Sequence, residues 1–429
     1  MRVLWLTYTP PLPVTHKLGI PNMVSEGWVD SLRLAFQDHS ELKLGIASPS
    51  EIDYSPFNED GTEFHNIPSP SQKGSLQAVY RRWSHKTEFP NGINRCLAAV
   101  KKFEPDIIHV HGSENFYGLI AKEISIPVVI SIQGILTVYE LFYFGCLPLK
   151  EKLIDVFSPK FIKGAGLIHK YLAMRKSARR ERQIIKDCKY FIGRTDFDKN
   201  FLSITNPTSH YYHCNEVLRP SFYSAEWTPK SMDSSIVYCI SSIPVPYKGL
   251  DCLLKACSAL KQAGFPNLQM RISGQIQGSD IWGVIKRKVQ ELNLTKEITW
   301  LGKSSAETIV SELKNANVFV LPSYIENSPN SLGEAMLAGV PSIASYVGGV
   351  PSMIVHGKDG LLFPSGDYYS LAGMIATILK DPALARTLSN TAKISARKRH
   401  DPKTIAQTMM SIYSNIIEDA SIKRKNNSI

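Results

Sequence analysis

Short runs rich in β-branched and aromatic residues alternate with longer helical patterns along this chain, and that alternation predicts parallel sheets covered by helices. The first half offers strands at Val3–Thr7, Leu42–Ala47, Ile107–Val110, Val128–Ile132 and Tyr190–Gly193. In the second half, Ile236–Ile240, Gln269–Ile272, Ile298–Trp300, Val318–Leu321, Ser342–Ala344 and Leu361–Phe363 alternate with helices near 249–263, 280–292, 305–316, 330–338 and 367–380. At 429 residues the chain exceeds what one hydrophobic core serves, so two doubly wound α/β domains are expected. We place the first at 1–218, a turn-rich linker at 219–234 and the second at 235–400. A terminal helix at 401–418 is expected to pack back toward the first domain, ahead of a basic polar tail at 419–429.

The net charge of +11 is unevenly spread: Lys160 to Lys189 holds ten Lys or Arg against Glu181 and Asp187. With Leu167, Ile168, Tyr171 and Leu172 on the same stretch, the segment reads either as a helix for an anionic membrane face or as a solvated helix. Nucleic acid is not expected, because no binding module accompanies the charge. Met1 to Thr7 reads as a first strand rather than a secretory leader, and the longest apolar runs are strand-sized. Seven scattered cysteines without a Cys-x-x-Cys pair read as reduced thiols of a cytoplasmic protein.

The sharpest pattern runs from Ser323 through Glu326, Asn330 and Glu334 to Gly339-Val340-Pro341. A buried strand enters a polar turn, and a helix begins near Asn330, a residue able to cap it. Unpaired N–H groups at the carboxyl end of a parallel strand suit a pyrophosphate. Glu326 stands before the helix and Glu334 about one turn inside it. They read as carboxylates for sugar and ribose hydroxyls, or as an ordinary loop acid and a solvated helix acid.

Glu326 and Glu334 with seven residues between them, the helix-closing Gly339-Val340-Pro341, Val347-Gly348-Gly349-Val350-Pro351 and Gly357-Lys358-Asp359-Gly360-Leu361 together closely resemble the donor-site signature of glycosyltransferase family 4. The resemblance covers the carboxyl-terminal domain. It implies a GT-B fold, two Rossmann-like domains facing across a cleft, and transfer from a nucleotide-diphosphate sugar with retention of configuration and no essential metal or other cofactor. It further implies that Glu326 contacts the donor sugar and Glu334 the ribose. Ser328, Pro329, Asn330, Ser331, Leu332, Gly274 and Lys303 are assigned with them to the donor.

Lys248, in Tyr247-Lys248-Gly249, follows a strand and opens a helix, so its ammonium can bind a diphosphate or simply sit on the surface. Family members commonly carry an Arg five residues earlier, where this chain has Ile243. Arg271 and Lys303 are the candidate substitutes.

In the first domain, Ile107 to Glu114 resembles the family's His-containing strand end, with His109 and His111 on one strand face. No third ligand follows at metal spacing. His111 is expected to orient substrate or to pack within the cleft, and Glu114 and Gln133 to contact the acceptor. Gln133 stands where many members have an active-site His, and it cannot act as a base. In front-face retention the departing diphosphate oxygen takes the acceptor proton, so none is required. Asp196-Phe197-Asp198 resembles a metal motif of another glycosyltransferase fold but reads better as helix capping. The expected acceptor is a saccharide or lipid-linked saccharide of bacterial surface glycan synthesis. A phosphorylase, a sugar-nucleotide epimerase and a non-catalytic sugar-nucleotide-binding partner are the alternatives.

Overall fold

Val3, Leu4, Trp5 and Leu6 are fully buried because β1 (Arg2–Leu6) lies in the middle of a parallel sheet, apolar on both faces. The computed structural model describes residues 1–20, 27–69, 83, 91–230 and 235–426. It divides into two units, the first comprising Met1–Glu140, Tyr171–Val217 and Asp401–Ile429, the second Leu141–Lys170 and Leu218–His400.

The first unit is built on β1, β2 (Lys43–Ser50), β3 (Phe57–Glu59), β4 (Thr62–Pro68), β5 (Ile107–His111), β6 (Val128–Ser131), β7 (Tyr190–Gly193) and β8 (His210–His213). Their order is β3-β4-β2-β1-β5-β6-β7-β8, and every pairing is parallel except β3 with β4. The order reverses between β1 and β5, so the carboxyl end of β5, with His111, lies at a switch point where open α/β sheets bind ligands. The helix Asp196–Thr205 starts with a capping box between Thr195 and Asp198, which uses Asp198 for helix-start chemistry.

The terminal helix, Pro402–Asn426, belongs to this unit. Ile405, Met409, Ile412, Tyr413 and Ile416 enter one core with Val3, Trp5, Ile107 and Val129. Residues 419–426, read from sequence as tail, continue the helix, and Asp419 is tied by Lys189 at 2.7 Å. Residues 427–429 lie outside the described ones.

The second unit contains β9 (Ser235–Ile240), β10 (Leu268–Ser273), β11 (Ile298–Gly302), β12 (Val318–Leu321), β13 (Ser342–Ser345) and β14 (Leu361–Phe363) in the order β11-β10-β9-β12-β13-β14, all parallel. Here the reversal falls between β9 and β12. A helix at Pro382–Arg399 adds to those expected. Of the turn-rich segment at 219–234, Phe222 is buried and Trp227 donates from Nε1 to the Ala316 carbonyl at 2.7 Å, so this stretch packs on the second unit; 231–234 lie outside the described residues.

Leu141–Lys170, placed by sequence in the first domain, groups with the second unit. Arg287 pairs with Glu151, Lys160 and Lys170 pair with Asp280, and Gly145 leaves room for the Tyr324 ring, which an added Cβ would meet at 2.4 Å.

Candidate functional site

β9 and β12 are neighbours whose carboxyl ends flank the switch point, and each contributes one charge there. A short turn, Pro246–Lys248, follows β9 and presents Lys248; the turn after β12 presents Glu326. Lys248 Nζ donates to Glu326 Oε1 at 2.5 Å, and Ser323 Oγ donates to the same oxygen at 2.8 Å. Burial presses the Lys248 pKa down, but the Glu326 carboxylate, the Tyr247 phenol and the hydrogen bond to Glu326 outweigh it, and the net direction is up. The ammonium is therefore held charged.

Three glycines let the loops around this pair close together. Gly249 (φ +70) and Gly274 (φ +129) would each place a Cβ 1.9 Å from a carbonyl oxygen, that of Pro322 and of Ser241 respectively. At Gly348 (φ +48) the collision, also at 1.9 Å, is with the carbonyl of Glu326 itself. Gly349 N–H donates to that carbonyl at 3.0 Å, fixing the loop that carries the carboxylate.

The helix Asn330–Ala338 starts beside Glu326. Its cap position is Pro329 (φ −69, ψ 116), with no side-chain cap bond, and Asn330 is the first helical residue, which corrects the expectation that Asn330 caps it. Pro329 pre-sets the entry to the helix and brings no side-chain acceptor for the first N–H groups. Leu332 and Gly333 already bond back to the Pro329 carbonyl, at 3.0 and 3.3 Å, while Asn330 and Ser331 precede them. Leu332 is buried core, and Ser328 Oγ lies 3.6 Å from Met353 Sδ.

Glu334 is buried and already matched. Arg219 donates to it from Nε at 2.7 Å and Nη2 at 2.8 Å. Burial raises the Glu334 pKa, the hydrogen bond and charge of Arg219 oppose this, and the net direction is up. Arg219 sits in the turn-rich segment without a motif, so the sequence alone carries no signal for its role. Of the candidate substitute cations, Arg271 is committed to Glu312, with Nη2 donating at 2.6 Å, and Lys303 is exposed just past β11. Ile243 is exposed.

In the first unit, His109 is a satisfied core histidine, its Nδ1 2.7 Å from Tyr413 Oη and its Nε2 2.6 Å from Ser131 Oγ; burial drives its pKa down to about 3. His111 differs. Both ring nitrogens are buried without a hydrogen-bond partner among the described residues, and the ring packs against Trp5 at 4.8 Å and Trp28 at 5.3 Å. Burial, then His109 and Arg194, hold its pKa well below the ordinary value, so it is neutral. It lines a small cavity with Trp28, Gln133, Arg194, Asn215 and Glu216.

Gln133 is locked: its Oε1 accepts from Arg194 Nη2 at 3.0 Å and its Nε2 donates to Glu216 at 3.2 Å, while Arg194 and Glu216 pair directly. Glu114 lies between Gly112 and Gly134, and burial, reinforced by Glu181, pushes its pKa up to about 7. Glu181, read from sequence as part of a charged run, is fully buried. It accepts from Ser113 Oγ at 2.8 Å and from the N–H groups of Leu136 and Thr137 at 3.1 and 2.7 Å. Among the described residues no group of three His, Cys, Asp or Glu side chains is arranged to hold a metal ion.

Residues 228–395 match the family model described as glycosyl transferases group 1. The D-inositol 3-phosphate glycosyltransferase of Corynebacterium glutamicum (strain R) is 28% identical over 179 residues, 41% of this chain and 43% of that protein. The amylovoran biosynthesis glycosyltransferase AmsK of Erwinia amylovora is 31% identical over 142 residues, 32% of this chain and 34% of the relative. The chain thus spans less than half the length of these curated relatives. Among solved structures, the sucrose-phosphate synthase from Thermosynechococcus elongatus superposes with a TM-score of 0.71 at 18% identity, covering 98% of this chain and 100% of that one. Anabaena HepE in complex with UDP-glucose gives 0.65 at 15% identity, covering 97% and 100%. These likenesses show the fold, the GT-B pair of Rossmann-like α/β domains.

Proposed function

We propose, on the premise that this chain carries a group 1 glycosyl transferase domain within a GT-B fold, that it transfers a sugar from a nucleotide-diphosphate sugar to a saccharide or lipid-linked saccharide acceptor with retention of configuration. The observation that carries this reading is the Lys248–Glu326 pair at the β9/β12 switch point, beside the uncapped start of helix Asn330–Ala338. The pairing keeps each charge compensated. The diphosphate then takes the Lys248 ammonium and the N–H groups of Asn330 and Ser331, and Glu326 turns to sugar hydroxyls. Glu334 receives the ribose.

In the reaction the bond from the anomeric carbon to the diphosphate oxygen breaks and a bond to the acceptor oxygen forms on the same face. The acceptor proton passes to the departing diphosphate oxygen, whose charge Lys248 stabilises. This assignment asks for no protein base, which suits a Gln133 tied to Arg194 and a neutral His111. It also asks for no metal, since the positive charge comes from Lys248. His111 and Glu114 are assigned to orienting the acceptor.

Uridine is the favoured base, because HepE is recorded with UDP-glucose and the structurally similar TarM of S. aureus with UDP. The pathway class is surface polysaccharide or related glycan synthesis, at the cytoplasmic side. A thermal-shift panel of UDP, GDP, ADP and their sugar conjugates identifies the donor, because a bound ligand stabilises the native state. Transfer is then followed by NMR of the product's anomeric proton. An inverted product refutes the retaining mechanism, and a donor that neither binds nor turns over refutes the function.

A further inference from the structure

The helix Leu149–Val156 is inside out. Glu151 and Asp155, one turn apart, are 8% and 9% exposed, while Leu149, Leu153 and Phe157, at the same four-residue spacing, are 70%, 51% and 84% exposed. A surface helix ordinarily buries its apolar stripe and solvates its charges. Here the acids are held by partners in the second unit. Arg287 pairs with Glu151, and Asp155 accepts from the Ile168 N–H at 3.2 Å and packs so closely on Gly166 that an added Cβ would lie 2.7 Å from its oxygen. Those contacts fix the rotation of the helix and aim the apolar stripe outward. Ile162, on the following short helix Pro159–Ile162, is exposed to 72%.

Within this segment the outward-facing charges have one sign. Between Leu141 and Lys170 the only carboxylates are the inward-facing Glu151 and Asp155, against Lys150, Lys152, Lys160, Lys163 and Lys170. Lys160 and Lys170 reach Asp280, and Lys150 lies 3.9 Å from Glu291. Lys152 sits over the Phe144 ring at 4.6 Å, and Lys163 is exposed. Exposed apolar side chains grouped on one face mark an interaction surface. A second copy of this face would set lysines against lysines, with no acid of the segment to pair them. An anionic bilayer supplies both the apolar depth and the negative headgroups. Among the described residues no helix is long and apolar enough to cross a membrane, so contact is in the plane of the interface.

We propose that Leu149, Leu153, Phe157 and Ile162, rimmed by Lys150, Lys152 and Lys163, form a docking face that seats the second unit on an anionic membrane surface. This goes beyond the donor-site reading and stands on different residues.

The test is flotation of the full chain with vesicles of phosphatidylcholine alone and of phosphatidylcholine containing about a third phosphatidylglycerol. The chain floats with the anionic vesicles, and added salt weakens the binding. The combined Leu149→Gln, Leu153→Gln and Phe157→Gln variant binds at least about tenfold more weakly, while its nucleotide thermal shifts match the parent chain. A parent chain that stays unbound overturns the proposal, as does a triple variant that floats equally well. So does sedimentation showing that the parent self-associates through this face without floating. Phe157→Trp alters one exposed side chain and gives a second readout. Its extra emission shifts to the blue on anionic vesicles, and an unshifted emission overturns the proposal even if the triple variant folds poorly.

Discussion

Arg219 holds both carboxylate oxygens of Glu334, at 2.7 and 2.8 Å, in a two-pronged bond within the second unit, between its turn-rich segment and the helix Asn330–Ala338. A guanidinium in this geometry fixes the carboxylate plane as well as its charge. The pair therefore sets how Glu334 would be presented to the ribose proposed for it.

Replacing Arg219 with Met leaves a buried carboxylate without its cation. Loss of one partner of a buried pair costs roughly 3–5 kcal/mol, and the 19% exposure of the Arg219 side chain puts the expected loss at the low end. The Glu334 pKa, already raised by burial, rises further without Arg219. A carboxyl group with a raised folded pKa favours folding while protonated and loses that contribution as pH climbs through its folded value. The Arg219→Met deficit, measured by urea unfolding, is therefore larger at high pH than at mildly acidic pH. A deficit independent of pH contradicts this account.

Lys248 and Glu326 test the donor site itself. Lys248→Met removes the cation assigned to the leaving diphosphate and is expected to lower kcat by about 100- to 1000-fold. Lys248→Arg retains charge but not the compact ammonium that meets Glu326 at 2.5 Å, so it restores nucleotide binding more than turnover. Steady-state kinetics on the identified donor separates these effects. Full activity in Lys248→Met removes Lys248 from the mechanism.

Much of this was readable from residues alone, for physical reasons that differ from element to element. β9, β10, β12, β13 and β14 are largely buried parallel strands, so they appear as apolar runs between helical patterns, and the half-buried edge strand β11 shows the same apolar character in Ile298, Trp300 and Leu301. β3, β4 and β8 have no apolar run to mark them, because Phe57–Glu59, Thr62–Pro68 and His210–His213 mix polar side chains into strands at or next to the sheet edge. Lys248 and Glu326 were each visible from a strand end, but their contact spans 78 positions and depends on β9 lying beside β12. The affiliation of Leu141–Lys170 was invisible for a similar reason. It rests on ion pairs such as Glu151 with Arg287, 136 positions apart, which leave no local pattern.

Gly348 offers a test that touches no charged group. Its backbone is left-handed at φ +48, and a Cβ would sit 1.9 Å from the Glu326 carbonyl oxygen. Gly348→Ala must therefore displace the loop that carries Glu326, and a shift of about 1 Å at a reacting centre costs roughly 100-fold in rate. We expect that loss in kcat, with the nucleotide's thermal shift retained in part through Lys248 and the helix start. Gly357→Ala has a similar left-handed φ of +76 with nothing within 4 Å of the added Cβ, so it controls for backbone strain alone.

Glu114 supplies a pH dependence in the first unit. Burial, with the nearby Glu181 carboxylate, raises its pKa to about 7, while Arg194 and backbone hydrogen bonds oppose the shift. The folded chain therefore binds a proton at Glu114 that the unfolded chain has already released, between its ordinary value of 4.5 and about 7. Stability from this group is fully present below that window and declines as pH rises through it. Glu114→Gln replaces the titrating group with a neutral amide of similar shape and flattens that part of the profile. The buried Glu181, also raised by burial, keeps a residual slope of the same sign. Urea midpoints of the parent and Glu114→Gln across this window provide the measurement. Parallel profiles show that Glu114 takes up no extra proton on folding in this window, which contradicts its raised pKa.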